Sequence, residues 1–233
     1  MPRDLLVIVP SRGRPGNVAR FVRAVAATST AQTDIVFGFD NDDPDLQKSI
    51  SAAHSAQVPV IVVTAPRKGL GAWTNELAAT FAVDYRALAS FGDDHVPQTH
   101  GWDKSLLDAI AGMGGTGIAY PDDGIRDDVG EAWVMSADIV RALGWMCEPT
   151  LKHWWVDEVI TVIGREADCL AYLPDVTVRH NHPAAGRSQF DATYWEAFEG
   201  VPADKQAYET WRAERMEADV ATVRALRKVA SGT

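Results

Sequence analysis

The sequence contains no apolar run that approaches the ~20 residues a membrane-spanning helix needs, so we expect no membrane insertion. The apolar stretch nearest the N-terminus, residues 5–9, is followed at once by Pro10 and Arg12. A secretory signal peptide needs a longer apolar region. The stretch therefore favours a first core strand over a leader segment.

Cysteine is scarce: Cys147 and Cys169 are separated by a spacing that fits neither a zinc site nor a redox pair. This favours reduced thiols in a cytoplasmic protein. Basic residues are also few, because 22 Lys and Arg face 32 Asp and Glu, for a formal net charge of −10. Bulk electrostatics therefore argue against general duplex-DNA binding, although a local basic patch could still reach a nucleic-acid acceptor.

Repeats and low-complexity segments are absent from the 233 residues, which predict one large domain, or a domain with an appendage. Short apolar runs alternate with helical patterns in the first half, and strands are predicted at residues 5–9, 35–39, 58–63 and 85–91. This alternation predicts an α/β fold with a mostly parallel central sheet flanked by helices. Further strands are predicted at 118–120, 133–135 and 170–173, and residues 203–230 predict a C-terminal helical appendage.

Polar residues follow three of these strands, where each strand ends. Ser11 follows the first strand, Asp40 the second, and Asp93 and Asp94 the fourth. In open α/β sheets, ligands bind beyond the carboxyl ends of the strands. We therefore expect these side chains to form one polar site.

The neighbouring acids Asp93 and Asp94 need not share a ligand, because adjacent side chains of an extended chain point to opposite sides. One could hold a divalent cation while the other accepts hydrogen bonds from a hydroxyl group. Mg²⁺ and Mn²⁺ both prefer carboxylate oxygens. The alternative is a solvated turn, or an N-cap for the following helix.

Two further segments carry candidate chemistry. In RHNHP, either His180 or His182 could supply a nitrogen ligand to the metal, the alternative being a surface pair near a turn. In HWWVDEVI, partial desolvation of Asp157 would raise its pKa toward that of a useful general base. Alternatively, Asp157 complements the helix dipole, and Glu158 competes for either role.

Taken in order, VIVPSRGRP, FDNDDP, GDDH, an acid in a helix and PDVTVRH resemble the GT-A glycosyltransferases, especially family-2-like enzymes. The resemblance covers about residues 5–182 and implies a GT-A fold. It also implies a metal-dependent enzyme that moves a sugar from a nucleoside diphosphate sugar, with a UDP-sugar favoured, to an acceptor hydroxyl. GDDH resembles the DxD motif of that family, with Gly92 in the first acidic position.

The resemblance assigns roles to five residues of the strand ends. It implies that Asp93 contacts the ribose, that Asp94 binds Mn²⁺ or Mg²⁺, and that Asp40 contacts the nucleotide base. Ser11 and Arg12 match the first-strand loop that lines the nucleotide pocket.

The second half of the match implies that Asp157 is the catalytic base of an inverting enzyme and that His180 is a metal ligand. Val156 stands where the family has the glutamate of its Glu-Asp motif, and some retaining enzymes share the other features. Inversion is favoured over retention.

Other candidates surround this site. Residues 184–194 are expected to form a lid. Arg67, Lys68 and Arg187 are candidates for the donor diphosphate. Trp102, Trp154 and Trp155 are candidates for stacking on sugars on the acceptor side, with core packing as the alternative.

The expected organisation is a catalytic domain at residues 1–183, followed by the lid and helical appendage at 184–233. Residues 1–97 would form its nucleotide-sugar half and residues 98–183 its acceptor half. Small enzymes of this kind also occur in bacteriophages, which would place the protein in the host cytoplasm and make a modified DNA base or a virion protein the acceptor. The oligomeric state is left open.

Two other classes remain. A sugar-phosphate nucleotidyltransferase also uses an α/β sheet with acidic metal ligands, and the SRGRPGN loop faintly resembles its Gly-rich basic loop. The third class is a non-catalytic module that binds nucleotide sugars.

Overall fold

The protein is described here by a computed structural model that covers residues 2–231, with side chains described for residues 2–227. Met1 and the last two residues of the expected appendage, Gly232 and Thr233, lie outside the described residues.

Within that described part, eight strands form one sheet. They are β1 (Arg3–Ser11), β2 (Thr33–Asp40), β3 (Val60–Ala65), β4 (Tyr85–Ser90), β5 (His95–Pro97), β6 (Ile118–Asp122), β7 (Trp133–Ser136) and β8 (Leu170–His180). Their spatial order is β3-β2-β1-β4-β7-β6-β8-β5. The first four strands of this order are parallel, as are β6 and β8. β7 runs antiparallel to β4 and β6, and β5 runs antiparallel to β8.

Helices cover both faces of the sheet. They are α1 (Pro15–Thr28), α2 (Leu46–Ala53), α3 (Leu70–Phe81), α4 (Trp102–Gly112), α5 (Ala137–Leu143), α6 (Val156–Glu166), α7 (Ala192–Glu199), α8 (Val201–Glu214) and α9 (Met216–Ser231). One hydrophobic core joins the sheet to α1, α2 and α4, and a second joins it to α3, α5, α6, α8 and α9. The predicted α/β architecture, a mostly parallel sheet flanked by helices, is confirmed.

The central strands are buried over their whole apolar runs. Every side chain of Leu5–Val9 in β1 is inaccessible to solvent, and β2 is buried along its whole length. Parallel strands covered by helices on both faces have continuous apolar sequences for this reason. The apolar runs therefore located these strands within one or two residues.

The last strand is longer than the predicted 170–173. β8 continues to His180, but its register against β6 shifts after Leu173, so that Thr177 lies opposite Asp122. Pro174 has no N–H to donate to the sheet, and the chain bulges there before pairing resumes. The final residues of β8 then pair with β5, which places His180 opposite His95.

The helical appendage expected at residues 203–230 consists of two helices, α8 and α9. α8 and α9 are separate helices that meet at Arg215. Trp211 and Val223 are fully buried, so the appendage packs on the domain. No helix in residues 2–231 is both long and apolar enough to cross a membrane. The domain boundary at residue 183 stays a prediction.

Candidate functional site

The ends of β1, β2 and β4 meet at one edge of the sheet, as expected from the sequence. The Ser11 hydroxyl at the end of β1 donates a hydrogen bond of 2.5 Å to Asp93, which follows β4. Arg12 donates to Asp40 at the end of β2 over 3.3 Å. The predicted convergence of these polar residues is therefore confirmed by direct contacts.

Asp93 faces α1 and the loop that precedes it. Its carboxylate lies 3.1 Å from the Asn17 amide nitrogen and 3.4 Å from the Arg14 guanidinium. Only 4% of Asp93 is exposed. Burial raises the pKa of Asp93 to about 6 against the opposing charge of Arg14.

Asp94 has different partners from Asp93, although the two residues lie in a turn, closed by a hydrogen bond of 3.1 Å from the His95 N–H to the Gly92 carbonyl, and not in the extended chain expected. Its Oδ2 atom lies 3.5 Å from Nε2 of His180. The same oxygen accepts a hydrogen bond from the hydroxyl of Tyr194 in α7. Burial alone would raise the pKa of Asp94, but the hydrogen bond and charge of His180 outweigh burial and hold that pKa below its ordinary value.

The sheet pairing gathers a cluster of three possible ligands around Asp94. One ligand atom from each of Asp94, His95 and His180 lies within 4.8 Å of the others. However, Nδ1 of His95 accepts the Gly92 N–H over 2.7 Å, so its proton lies on Nε2. Asp94 and His180 are therefore better suited than His95 to hold a cation.

Gly92 allows the acidic turn to fold this tightly. A Cβ atom at this position would lie 2.6 Å from Oδ1 of Asp94 and 3.1 Å from Nδ1 of His95. A larger residue would therefore displace the candidate ligand. This explains why a glycine precedes the two aspartates.

Asp40 is held at the far end of the site. Trp73 lies against Gly38, where a Cβ atom would meet its ring at 2.6 Å, and its indole N–H donates to Asp40 over 2.8 Å. Asp40 is 4% exposed. Its carboxylate therefore has a fixed orientation, with Arg12 as its second partner.

Asp157 lies in the first turn of α6 and is half-buried. Burial and the adjacent Glu158 raise the pKa of Asp157 well above its ordinary value. This is the direction predicted from the sequence. Glu158 itself lies 3.3 Å from Arg126, which leaves Asp157 without a cationic partner among the ion pairs of the described residues.

Hydrogen bonds to the appendage fix the loop before α6. Asp204 of α8, which is 1% exposed, accepts hydrogen bonds from the backbone N–H groups of Lys152, His153 and Trp154 at 2.9–3.1 Å. The next residue, Trp155, has a φ of 61°. This left-handed conformation is uncommon for a bulky side chain, and Asp204 holds the turn that contains it.

The basic residues proposed for the diphosphate make other contacts. Arg67 pairs with Glu196 of α7, and Lys68 pairs with Glu76. The Arg187 guanidinium donates to the backbone carbonyls of Asp123, Gly124 and His180. Their contact with a diphosphate stays a prediction.

Arg14, unlike these three, contacts the acidic turn directly. Its guanidinium contacts Asp93, makes two bonds of 2.7 Å to Asp191, and lies 4.2 Å from the centre of the Tyr194 ring. Its side chain is only 12% exposed. Arg14 therefore connects the acidic turn with the predicted lid.

The three tryptophans proposed for acceptor stacking differ in position. Trp102 is fully buried against Phe91, with ring centres 5.3 Å apart, so it has no free face for a sugar and is a core residue. Trp154 is half-buried and donates to the Ala197 carbonyl of α7. Trp155 stacks on Tyr208 of α8. The last two stay acceptor-side predictions.

Three site residues were missed by sequence reasoning, and a fourth, Tyr194, was expected only as part of the lid. Arg14 and Asn17 lie in the loop after β1 and at the start of α1, so the strand-end argument that found Ser11 could have found them. Glu131 and Tyr194 reach the site from distant parts of the chain. No local pattern marks Glu131, and none predicts the contact of Tyr194 with Asp94.

The sequence matches no protein-family profile and no curated protein. Solved structures are similar in fold. One is a mannosyltransferase, PcManGT from Pyrobaculum calidifontis, in complex with GDP-Man and Mn²⁺. It is 12% identical in sequence with a TM-score of 0.59, and the match covers 100% of this chain and 76% of the PcManGT chain. S. aureus TarS 1-349 in complex with UDP-GlcNAc is 13% identical with a TM-score of 0.58, over 97% and 72%.

GalNAc-T7 with UDP, GalNAc and Mn²⁺ is 14% identical with a TM-score of 0.62, over 77% of this chain and 44% of its own. In two other structures, the match spans 37% of the S. aureus TarS chain and 60% of the TarS 1-349 chain. These structural neighbours are GT-A glycosyltransferases. Together with the curled sheet and its flanking helices, they show that this chain has the GT-A fold.

Proposed function

We propose that the protein is a metal-dependent glycosyltransferase that moves a sugar from a nucleoside diphosphate sugar to an acceptor hydroxyl. The observation that carries this proposal is the pairing of Asp94 with His180 beside the Ser11–Asp93 contact, at the carboxyl edge of a GT-A sheet. The fold neighbours with bound UDP-GlcNAc, GDP-Man and Mn²⁺ support the same donor chemistry.

The residues around Asp94 fit a divalent cation of the Mn²⁺ or Mg²⁺ type. Asp94 offers a carboxylate oxygen and His180 an imidazole nitrogen, and the two atoms lie 3.5 Å apart, within reach of one cation. When bound, such a cation neutralises the charge that develops on a diphosphate leaving group. Arg14 would add positive charge on the other side of the acidic turn.

The donor nucleotide would lie across the ends of β1, β2 and β4. Asp93 would accept hydrogen bonds from the ribose hydroxyls. Asp40 would accept a hydrogen bond from the base, because its carboxylate is fixed by Trp73. A carboxylate can accept the ring N–H of a base such as uracil or guanine. Cytosine and adenine present a ring nitrogen with a lone pair at the same position, which a carboxylate repels. A UDP-sugar therefore remains the favoured donor, and GDP-sugars share the required N–H.

Asp157 would act as the catalytic base of an inverting transfer. Its carboxylate takes the proton of the acceptor hydroxyl while the acceptor oxygen bonds to the anomeric carbon. The bond between that carbon and the diphosphate oxygen breaks, and the nucleoside diphosphate leaves. A raised pKa makes the ionised Asp157 a stronger base.

A nucleotidyltransferase is less well supported, because its Gly-rich loop needs free backbone N–H groups for phosphate. Here the Gly13 N–H donates to the Asp43 carboxylate over 2.8 Å, and the N–H groups of Asn17 and Val18 donate to the Arg14 carbonyl. Product analysis separates the two reactions. We expect nucleoside diphosphate from a UDP- or GDP-sugar with Mn²⁺ and a hydroxyl acceptor, whereas pyrophosphate release from a nucleoside triphosphate and a sugar 1-phosphate would contradict the proposal.

The role of Asp157 is tested by Asp157→Asn, which keeps the side-chain shape. We expect unchanged UDP affinity and a transfer rate lower by about 10²- to 10⁴-fold, the usual contribution of a general base. Near-normal turnover would contradict the base assignment. A variant that binds UDP and Mn²⁺ normally, beside a wild type that never transfers, would favour the non-catalytic module.

A further inference from the structure

Glu131 contacts His180 on the side of the ring that faces away from Asp94. Its Oε2 atom lies 2.5 Å from Nδ1 of His180, whereas Nε2 of the same ring lies 3.5 Å from Asp94. The side chains of Glu131 and His180 are 20% and 12% exposed. The three groups therefore form a line of carboxylate, imidazole and carboxylate that is largely shielded from water.

We propose that Glu131 is a positioning residue that orients His180 for divalent-cation binding, an inference that rests on the proposed function. A carboxylate at Nδ1 keeps the Nδ1 proton in a charge-assisted hydrogen bond. A cation that binds beside Asp94 would displace the Nε2 proton, and the ring, still held at Nδ1 by Glu131, would present its Nε2 lone pair to that cation. Carboxylates that hold metal-ligating histidines in this way also raise the basicity of the ligand.

The chain around Glu131 is built to fix this ring. Glu131 lies two residues before β7, near the end of the loop that follows β6. At the beginning of the same loop, the backbone carbonyl of Asp123 accepts the His180 N–H over 3.0 Å. One end of the loop therefore holds the backbone of His180, and the other end holds its side chain.

The contact is an orienting hydrogen bond and does not mark a second cation site. Asp123, Glu131 and His180 do offer ligand atoms within 4.8 Å of one another. However, the 2.5 Å between Glu131 and His180 is a hydrogen-bond distance. Two ligands that each lie ~2.1 Å from one octahedral cation are about 3 Å apart. One oxygen of Asp123 also caps the N–H groups of Ile125 and Arg126.

The test is a titration with Mn²⁺ alone, with free Mn²⁺ followed by electron paramagnetic resonance. We expect Glu131→Ala to weaken Mn²⁺ binding by about 10- to 100-fold, the usual effect of losing such a partner. Glu131→Gln is expected to lie between wild type and Glu131→Ala, because its amide oxygen can still accept the Nδ1 proton without the charge. Asp128→Asn, an exposed acid of the same loop, is the matched control and should bind as wild type does.

A double-mutant cycle separates positioning from a general structural effect. If Glu131 acts through His180, adding Glu131→Ala to the His180→Ala variant should lower Mn²⁺ affinity by less than a further twofold. Full additivity of the two losses, or wild-type affinity in both Glu131 variants, would overturn the inference. Thermal melting identifies a variant that fails to fold, and the isosteric Glu131→Gln keeps the cycle testable in that case.

The outcome also distinguishes this inference from the proposed function. Loss of Mn²⁺ binding in Asp94→Ala and His180→Ala, with none in the Glu131 variants, would leave the proposed metal site standing and overturn the role of Glu131. A wild type that binds no Mn²⁺, with or without UDP, would overturn both.

Discussion

Oδ2 of Asp94 is shared by two groups: it lies 3.5 Å from Nε2 of His180 and accepts a hydrogen bond from Tyr194. The Tyr194 hydroxyl therefore uses the oxygen that a cation would need. Asp191, another residue of the predicted lid, accepts two hydrogen bonds of 2.7 Å from the Arg14 guanidinium, as a diphosphate could. In this conformation the lid occupies groups that the donor and its metal would use.

We expect Tyr194→Phe to bind Mn²⁺ about tenfold more tightly than wild type, because the competing hydrogen bond is removed while the ring over Arg14 is kept. Tenfold corresponds to ~1.4 kcal/mol. The measurement is a Mn²⁺ titration without nucleotide. Tyr208→Phe is the control, because Tyr208 contacts Trp155 and Arg212, away from Asp94. Weaker binding in Tyr194→Phe would mean that Tyr194 supports the cation.

Asp157 should make stability depend on pH in a defined direction. Its pKa in the folded protein is raised by burial and by Glu158. The folded state therefore holds the extra proton longer than the unfolded state, and the free energy of unfolding falls as pH rises from the ordinary carboxyl pKa to the raised one.

We expect Asp157→Asn to remove this loss, so that the variant melts at a higher temperature than wild type at neutral pH. Below about pH 4, the ordinary carboxyl pKa, the two should melt alike. Melting curves across this range check the prediction, with Asp108→Asn, an exposed acid of α4, as control. A constant difference between wild type and Asp157→Asn at all pH values would contradict the raised pKa.

Gly92→Ala should damage the metal site more than the fold. The new Cβ atom would lie 2.6 Å from Oδ1 of Asp94 and push that carboxylate away from His180. We expect the Mn²⁺ dependence of nucleotide binding to fall by at least tenfold, measured by calorimetry with UDP. Gly112→Ala is the matched control, since a Cβ atom there meets nothing within 4 Å. Equal effects of the two substitutions would contradict a steric role for Gly92.

Asp204 should connect the appendage to catalysis. Asp204→Asn leaves one acceptor oxygen where three backbone N–H groups of the loop before α6 are now bonded. We expect ~1–3 kcal/mol of lost stability, the usual cost of unsatisfied buried donors. We also expect slower transfer at temperatures where the variant is folded. Glu209→Gln, an exposed acid of the same helix, should change stability by less than about 0.5 kcal/mol.

The strands in the first half of the fold could be predicted from the sequence because they are buried on both faces. Their apolar runs and the polar residues at their ends belong to one continuous pattern, which also located Ser11, Asp40, Asp93 and Asp94. The second half was less readable. The shift in β8 at Pro174 and the break between α8 and α9 depend on tertiary pairing and packing.

Long-range packing accounts for the site contacts that were missed. Glu131 and Tyr194 meet His180 and Asp94 only after strand pairing and helix packing are complete. The burial of Trp102 also depends on long-range packing. The sequence does not distinguish an aromatic residue that stacks on a sugar from one that fills a core.

Thermal melting with UDP, GDP, CDP, ADP and dTDP, each with and without Mn²⁺, tests the central claim most directly when wild type is compared with Asp94→Ala. At a hundredfold excess over Kd, a bound nucleotide should stabilise the fold by ~2.7 kcal/mol. We predict a Mn²⁺-dependent shift with UDP or GDP in wild type and its loss in Asp94→Ala. A shift with none of the nucleotides, or one that persists in Asp94→Ala, would contradict a donor site built on Asp94 and His180.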